Sequence, residues 1–115
     1  MATKSKCDAP ADKLAHYEKL IETNPAVQRK GAANPYTSLN GHMFSRLDPS
    51  GRMALRLPAD EREKFLKKYD STLFKSYGIV QKEYVEVPDR LLANTRELQQ
   101  YFDLSIRYVR TLKPK

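Results

Sequence analysis

The sequence predicts an α+β domain. It has two layers, an antiparallel sheet of about five strands with helices packed on one face, in the order α-β(3)-α-β(2)-α. Three observations carry this. Two tight-turn signals, Asn40-Gly41 and Asp48-Pro49-Ser50-Gly51, bracket stretches of alternating polarity. Apolar residues at helical spacing recur before and after those stretches. Few long helical crossovers separate the strand pairs, which argues for antiparallel pairing.

The first helix spans about residues 9–23. Asp8 is its expected N-cap, with Pro10 in the first turn. Leu14, Tyr17 and Ile21 form its apolar stripe, with Leu20 beside it. Thr23-Asn24-Pro25 ends it, because the residue before proline is pushed out of the α region. Residues 27–30 are a candidate fourth, edge strand, and residues 36–39 a stronger strand. Asn40-Gly41 follows, and both residues tolerate the positive φ of a type I′ turn.

Two central strands, 42–47 and 52–57, flank Asp48-Pro49-Ser50-Gly51. Asp suits the first position of a type I turn, Pro the second, and Gly the left-handed position of a bulge. A three-residue loop pairs Leu47 with Met53, Ser45 with Leu55 and Met43 with Leu57, a mostly apolar face. A one-residue slip would mix core and solvent faces, so the bulged hairpin is the expected form.

Pro58 opens a second helix, with Asp60, Glu61 and Glu63 near its positive end and Lys67 and Lys68 near its negative end. Phe65, Leu66 and Tyr69 make its buried side. Residues 73–77 and 82–87 form a strand pair around Gly78. Pro88 ends the second strand, and residues 88–92 form a short helical turn. Asn94 with Glu97 resembles a capping box. Leu98, Phe102, Ile106, Val109 and Leu112 then trace one face of a helix over about residues 95–112.

Composition narrows the function classes. The chain of 115 residues has the size of one domain, residues 1–115, with residues 1–8 expected to fray. No apolar run approaches the roughly 20 residues that a membrane helix needs. The start, MATKSKCDAPADK, has no apolar segment of the kind a secretory signal needs. Cys7 is the single cysteine, so no intrachain disulfide forms, which fits a cytoplasmic location. The formal charge is +7, a balance that suggests nucleic acid as a partner. The excess is spread along the chain, with nine basic and five acidic residues in 1–57 and twelve and nine in 58–115. A basic excess so distributed reads first as a solvated surface.

The segments NGHMF, ALRLP, KEYVEVP and YVRTLKPK, in that order and spacing, resemble the TfoX/Sxy family, more narrowly its TfoX N-terminal domain in a short stand-alone bacterial form. The resemblance runs from about Leu14 to Lys115. It implies a two-layer fold of the secretion-chaperone-like type. Longer members of the family carry a second, C-terminal domain and regulate DNA-uptake competence; this chain is expected to lack that domain. The family's Met-Phe-Gly type segment is replaced here by Arg29-Lys30-Gly31-Ala32-Ala33. The family lends no catalytic residues to this sequence.

No catalytic, cofactor or metal constellation is expected. Cys7, His16 and His42 match no zinc spacing, and a Cys–His nucleophile needs a thiolate held beside a base, which a frayed tail does not provide. No glycine-rich phosphate loop exists. Tyr77, Tyr84, Tyr101 and Tyr108 read as core-edge residues with hydroxyls in water. The candidate site is the outer face of the central hairpin. There His42, Phe44, Arg46, Arg52, Ala54 and Arg56 are expected to point away from the Met43–Leu57 core face, joined by Thr37 and Leu39. Arginines and an aromatic are common interface anchors, and no other element of the chain is expected to cover them. The leading expectation is a non-enzymatic interaction or regulatory domain that self-associates or binds a protein partner through this face. Alternatives are a nucleic-acid accessory protein, since arginines with an aromatic can hold a strand, and a small-molecule binder or enzyme with a pocket between sheet and helices.

Overall fold

The computed structural model describes residues 9–31, 34–76 and 78–114. Nine elements follow in order: α1 (Ala11–Glu22), β1 (Tyr36–Leu39), β2 (His42–Leu47), β3 (Met53–Arg56), α2 (Ala59–Tyr69), β4 (Leu73–Ser76), β5 (Ile79–Val87), α3 (Asp89–Leu92) and α4 (Thr95–Arg110). The strands form one sheet in the order β1-β2-β3-β5-β4, and every neighbouring pair is antiparallel. The chain leaves β3, crosses through α2 to the edge strand β4, and returns in β5 between them. All four helices contribute to one apolar cluster with the sheet, so they cover one face. This is the two-layer α+β architecture expected from the sequence.

Pro10 precedes α1 and its carbonyl accepts from the Leu14 amide at 3.0 Å. Tyr17, Leu20 and Ile21 are buried, while Leu14 is partly so. Asp8 and Cys7 lie outside the described residues. At the far end Thr23 turns its hydroxyl onto the Leu20 carbonyl, 2.6 Å away, and the helix stops before Pro25. The expected edge strand at 27–30 is reduced to one bridge, Lys30 with Tyr36. α2 ends where Asp70 turns left-handed at φ 50°. Asn94 caps α4 by accepting from the Glu97 amide at 3.3 Å. The buried stripe of α4 is Leu98, Phe102, Ser105, Ile106 and Val109, with Leu112 partly buried beyond it.

Both turn signals hold. Asn40 and Gly41 have φ of 55° and 77°, and Leu39 pairs with His42 across them. Gly51 has φ of 91°, and the Asp48 amide donates to the Arg52 carbonyl at 2.9 Å. Leu47 then pairs with Met53, Arg46 with Ala54 and Ser45 with Leu55, the register expected for the bulged hairpin. Beyond Ser45 that register breaks down, and the site depends on why.

Candidate interaction face

On its other side, β2 contains a second irregularity. Thr37 pairs with Ser45 and Ser38 with Met43, so the ladder skips Phe44. An extra residue in one strand puts two successive side chains on the same side and reverses the alternation beyond it. Phe44 and Ser45 therefore both face the helices. The Phe44 ring is 0% exposed and lies 5.5 Å, centroid to centroid, from that of Phe102. Ser45 joins a buried hydroxyl chain, 2.7 Å from the Tyr17 hydroxyl and 2.6 Å from that of Thr37. The bulge carries Met43, half-buried, to the helix-free side.

Five expectations are thereby corrected. Phe44 and Thr37 are core, not surface. Leu39 packs against the apolar cluster. The ring of His42 is held toward the C-terminal end of α4, its Nε2 2.7 Å from the Lys113 carbonyl. Met43, expected in the core, has taken the place assigned to Phe44. The Met43–Leu57 pair does not form. Where β2 and β3 separate, the Met43 carbonyl accepts from the Tyr84 hydroxyl at 2.7 Å, and the Arg56 carbonyl from the Ser105 hydroxyl. The Tyr84 hydroxyl is thus bonded to protein rather than left to water, and burial pushes its pKa up. Tyr77 lies outside the described residues.

Arg46 and Arg52 come together around an aromatic the sequence did not indicate, with Arg56 apart at the margin. The guanidinium of Arg46 lies 5.0 Å and that of Arg52 4.9 Å from the ring centroid of Phe74. Phe74 belongs to β4, three places from β2 in the sheet. At about 4.8 Å per strand the two would stand roughly 14 Å apart in a flat sheet. The pairing of β4 with β5 explains the approach. It jumps from Leu73–Val85 to Phe74–Gln81, leaving residues 82–84 unmatched in β4. The outer half of this hairpin, residues 74–76 with 78–81, curls over the helix-free side as an arm. Phe74 is buried there, outside the main core, and Ala54 beneath is closed off. The expectation that no element covers this face is corrected: the β4–β5 arm covers its middle.

Charge on the face is closely matched. Nε and Nη2 of Arg52 donate to Oδ2 of Asp48 at 3.1 and 2.8 Å. Its Nη1 reaches Glu86 at 3.3 Å, and Nη2 also donates to the Lys75 carbonyl of the arm at 3.1 Å. Oδ1 of Asp48 accepts from the Ser50 amide and hydroxyl and the Arg52 amide. Burial pushes the Asp48 carboxyl up; these hydrogen bonds and the Arg52 charge outweigh it and hold the pKa below its ordinary value. Arg56 pairs with Glu83 at 2.6 Å and sits between the Tyr84 and Tyr108 rings, at the margin of the face. Arg46 forms no ion pair among the described residues.

Two further features were missed. The strand expected from residue 82 begins three residues earlier, at Ile79. Ile79 is 64% exposed and Val80 44%, the large apolar side chains left in solvent among the described residues. The only sequence signal was two β-branched residues beside a glycine. The second is a cleft of about 570 Å³ beside the end of α1, lined by Ile21, Pro25 and Val27 and by Glu18, Glu22 and Arg29, with Arg29 Nε 3.2 Å from the Glu18 carboxylate. Among the described residues there is no group of three or more His, Cys, Asp or Glu placed to hold a metal, and no helix is long and apolar enough to cross a membrane. The chain matches no family model, no curated protein and no solved structure.

Proposed function

We propose that this chain is a non-enzymatic interaction domain that self-associates through the helix-free side of its sheet. The observation that supports it is the composition of that side. Arg46, Arg52 and Arg56 stand among Asp48, Glu83 and Glu86, so the surface offers both signs of charge. A two-fold interface brings the same patch together twice and must be self-complementary, and a patch carrying both signs meets that condition. Arg46, stacked on Phe74 with its donors uncommitted to a carboxylate, is the residue that reaches a second copy. Size-exclusion chromatography with light scattering on wild type and Arg46→Glu tests this. A wild-type dimer dissociated by the substitution supports it; a monomer in both cases disposes of it. The TfoX N-terminal resemblance makes a cytoplasmic regulatory role the natural setting.

A second reading, a nucleic-acid accessory protein, rests on the formal charge of +7. The carboxylates beside Arg52 and Arg56 weigh against the sheet face as its phosphate track. Phosphate-driven binding falls steeply with salt, so a gel-shift series with no affinity at low salt removes this reading.

A further inference from the structure

We infer that the tip of the β4–β5 arm inserts into the headgroup layer of an anionic lipid surface. This goes beyond self-association and does not depend on it. Ile79 and Val80 are the large apolar side chains left in solvent among the described residues. Both lie where the hairpin turns, with Ser76 paired to Ile79 and Lys75 to Val80. Gly78 occupies the turn at φ 77°, and a side chain placed there would meet no atom beyond its chain neighbours within 4 Å. The apolar pair therefore stands on a projecting point with open space around it, not in a groove. A groove receives a peptide or a small ligand; a projecting apolar point suits a fluid layer that closes round it. The arm also brings its own backbone pairing, which lipid cannot supply.

Charge selects the kind of layer. Residues 71–82 carry two lysines and no acid, and Lys75 and Lys82 are both exposed. Neither lysine forms an ion pair among the described residues. The carboxylates that follow on β5, Glu83 and Glu86, are paired with Arg56 and Arg52. Asp70 lies at the opposite end of β4, where α2 stops. The lysines beside the tip are thus unopposed, and basic residues near an anionic leaflet are drawn to it. The same lysines disfavour a second copy as the occupant, because two tips brought together would bring four like charges together. Duplex DNA is the other polyanion. An apolar wedge between bases needs cations on the flanking phosphates, and Arg52 and Arg56 are engaged with carboxylates instead.

The test is co-sedimentation of the full chain at low salt with mixed phosphatidylglycerol–phosphatidylcholine vesicles, against phosphatidylcholine alone. Ile79 and Val80 are exposed, and replacing both with Thr keeps the β-branch that suits a strand. Ile79→Thr with Val80→Thr should lower partitioning onto the anionic vesicles about tenfold. Lys75→Gln and Lys82→Gln should each lower it about fivefold, the effect of one basic residue at an anionic surface. The chain has no tryptophan, so Ile79→Trp places a single reporter at the tip. Its emission should shift to the blue with anionic vesicles and stay unshifted with neutral ones. Undiminished binding of the double Thr variant, equal binding to both kinds of vesicle, or an unshifted reporter overturns the proposal. So does a wild type that ignores anionic vesicles, whether or not duplex DNA retains it.

Discussion

The guanidinium of Arg46 in β2 stands 5.0 Å from the ring of Phe74 in β4, although two strands lie between them in the sheet. That contact is possible because the hairpin bends at residues 82–84, and it closes the arm over Ala54. Arg46 and Arg52 are thus first a clasp on the arm and only then a surface. Replacing Arg46 with Met keeps the aliphatic stem and removes the charge over the ring. A partly exposed cation–π contact contributes about 0.5–1 kcal/mol. Arg46→Met should lower stability by that amount, and amide exchange in 74–76 and 78–81 should quicken while the core of α4 is unchanged.

Phe44→Ala should destabilise the monomer by about 3–5 kcal/mol, the range for deleting a buried aromatic. Phe44 meets Phe102 inside the core, so the loss appears in urea denaturation of dilute protein. On an exposed sheet face the same change would leave stability within about 0.5 kcal/mol.

The hydroxyl chain Tyr17–Ser45–Thr37 separates two substitutions that look equivalent. Tyr17→Phe removes one end and leaves Ser45 bonded to Thr37, a loss of about 1 kcal/mol. Ser45→Ala removes the middle member and strands two buried hydroxyls. It should cost more than Tyr17→Phe, about 2–3 kcal/mol, although each deletes a single oxygen. Equal losses in denaturation would contradict the chain.

Asp48 couples the turn to the arm and gives stability a defined acid limb. Its carboxyl titrates below its unfolded value of about 3.9 in the folded state. The stabilisation is therefore complete above that value and is lost as pH falls through the lower, folded one. Asp48→Asn should destabilise at pH 7 by about 1.5–3 kcal/mol, the range for hydrogen bonds to a charged group. It should also flatten the decline in melting temperature below pH 4. An unchanged acid limb in the variant would place that titration elsewhere.

Gly51, Asn40 and Gly41 were legible because positive φ leaves a mark in residue type. The bulge at Phe44 left none. Met43 and Phe44 are both apolar, so either could be the inward one, and strict alternation chose the wrong member. One skipped residue then misplaced Thr37, Leu39, His42 and Met43 together, the general consequence of a period-two pattern. Arg46, Arg52 and Arg56 were found because they lie beyond the bulge, where alternation still holds. The arm was invisible for a different reason: residues 73–77 do read as a strand, but curling is a property of the Phe74–Gln81 pairing, not of any single residue.

The central claim is that the helix-free side is the working surface. A dilution series followed by amide NMR tests it residue by residue. The account predicts concentration-dependent shifts at Arg46 and Arg52, with the exposed faces of α2 and α4 unmoved. Shifts confined to the helical layer, or none from micromolar to millimolar protein, would contradict it.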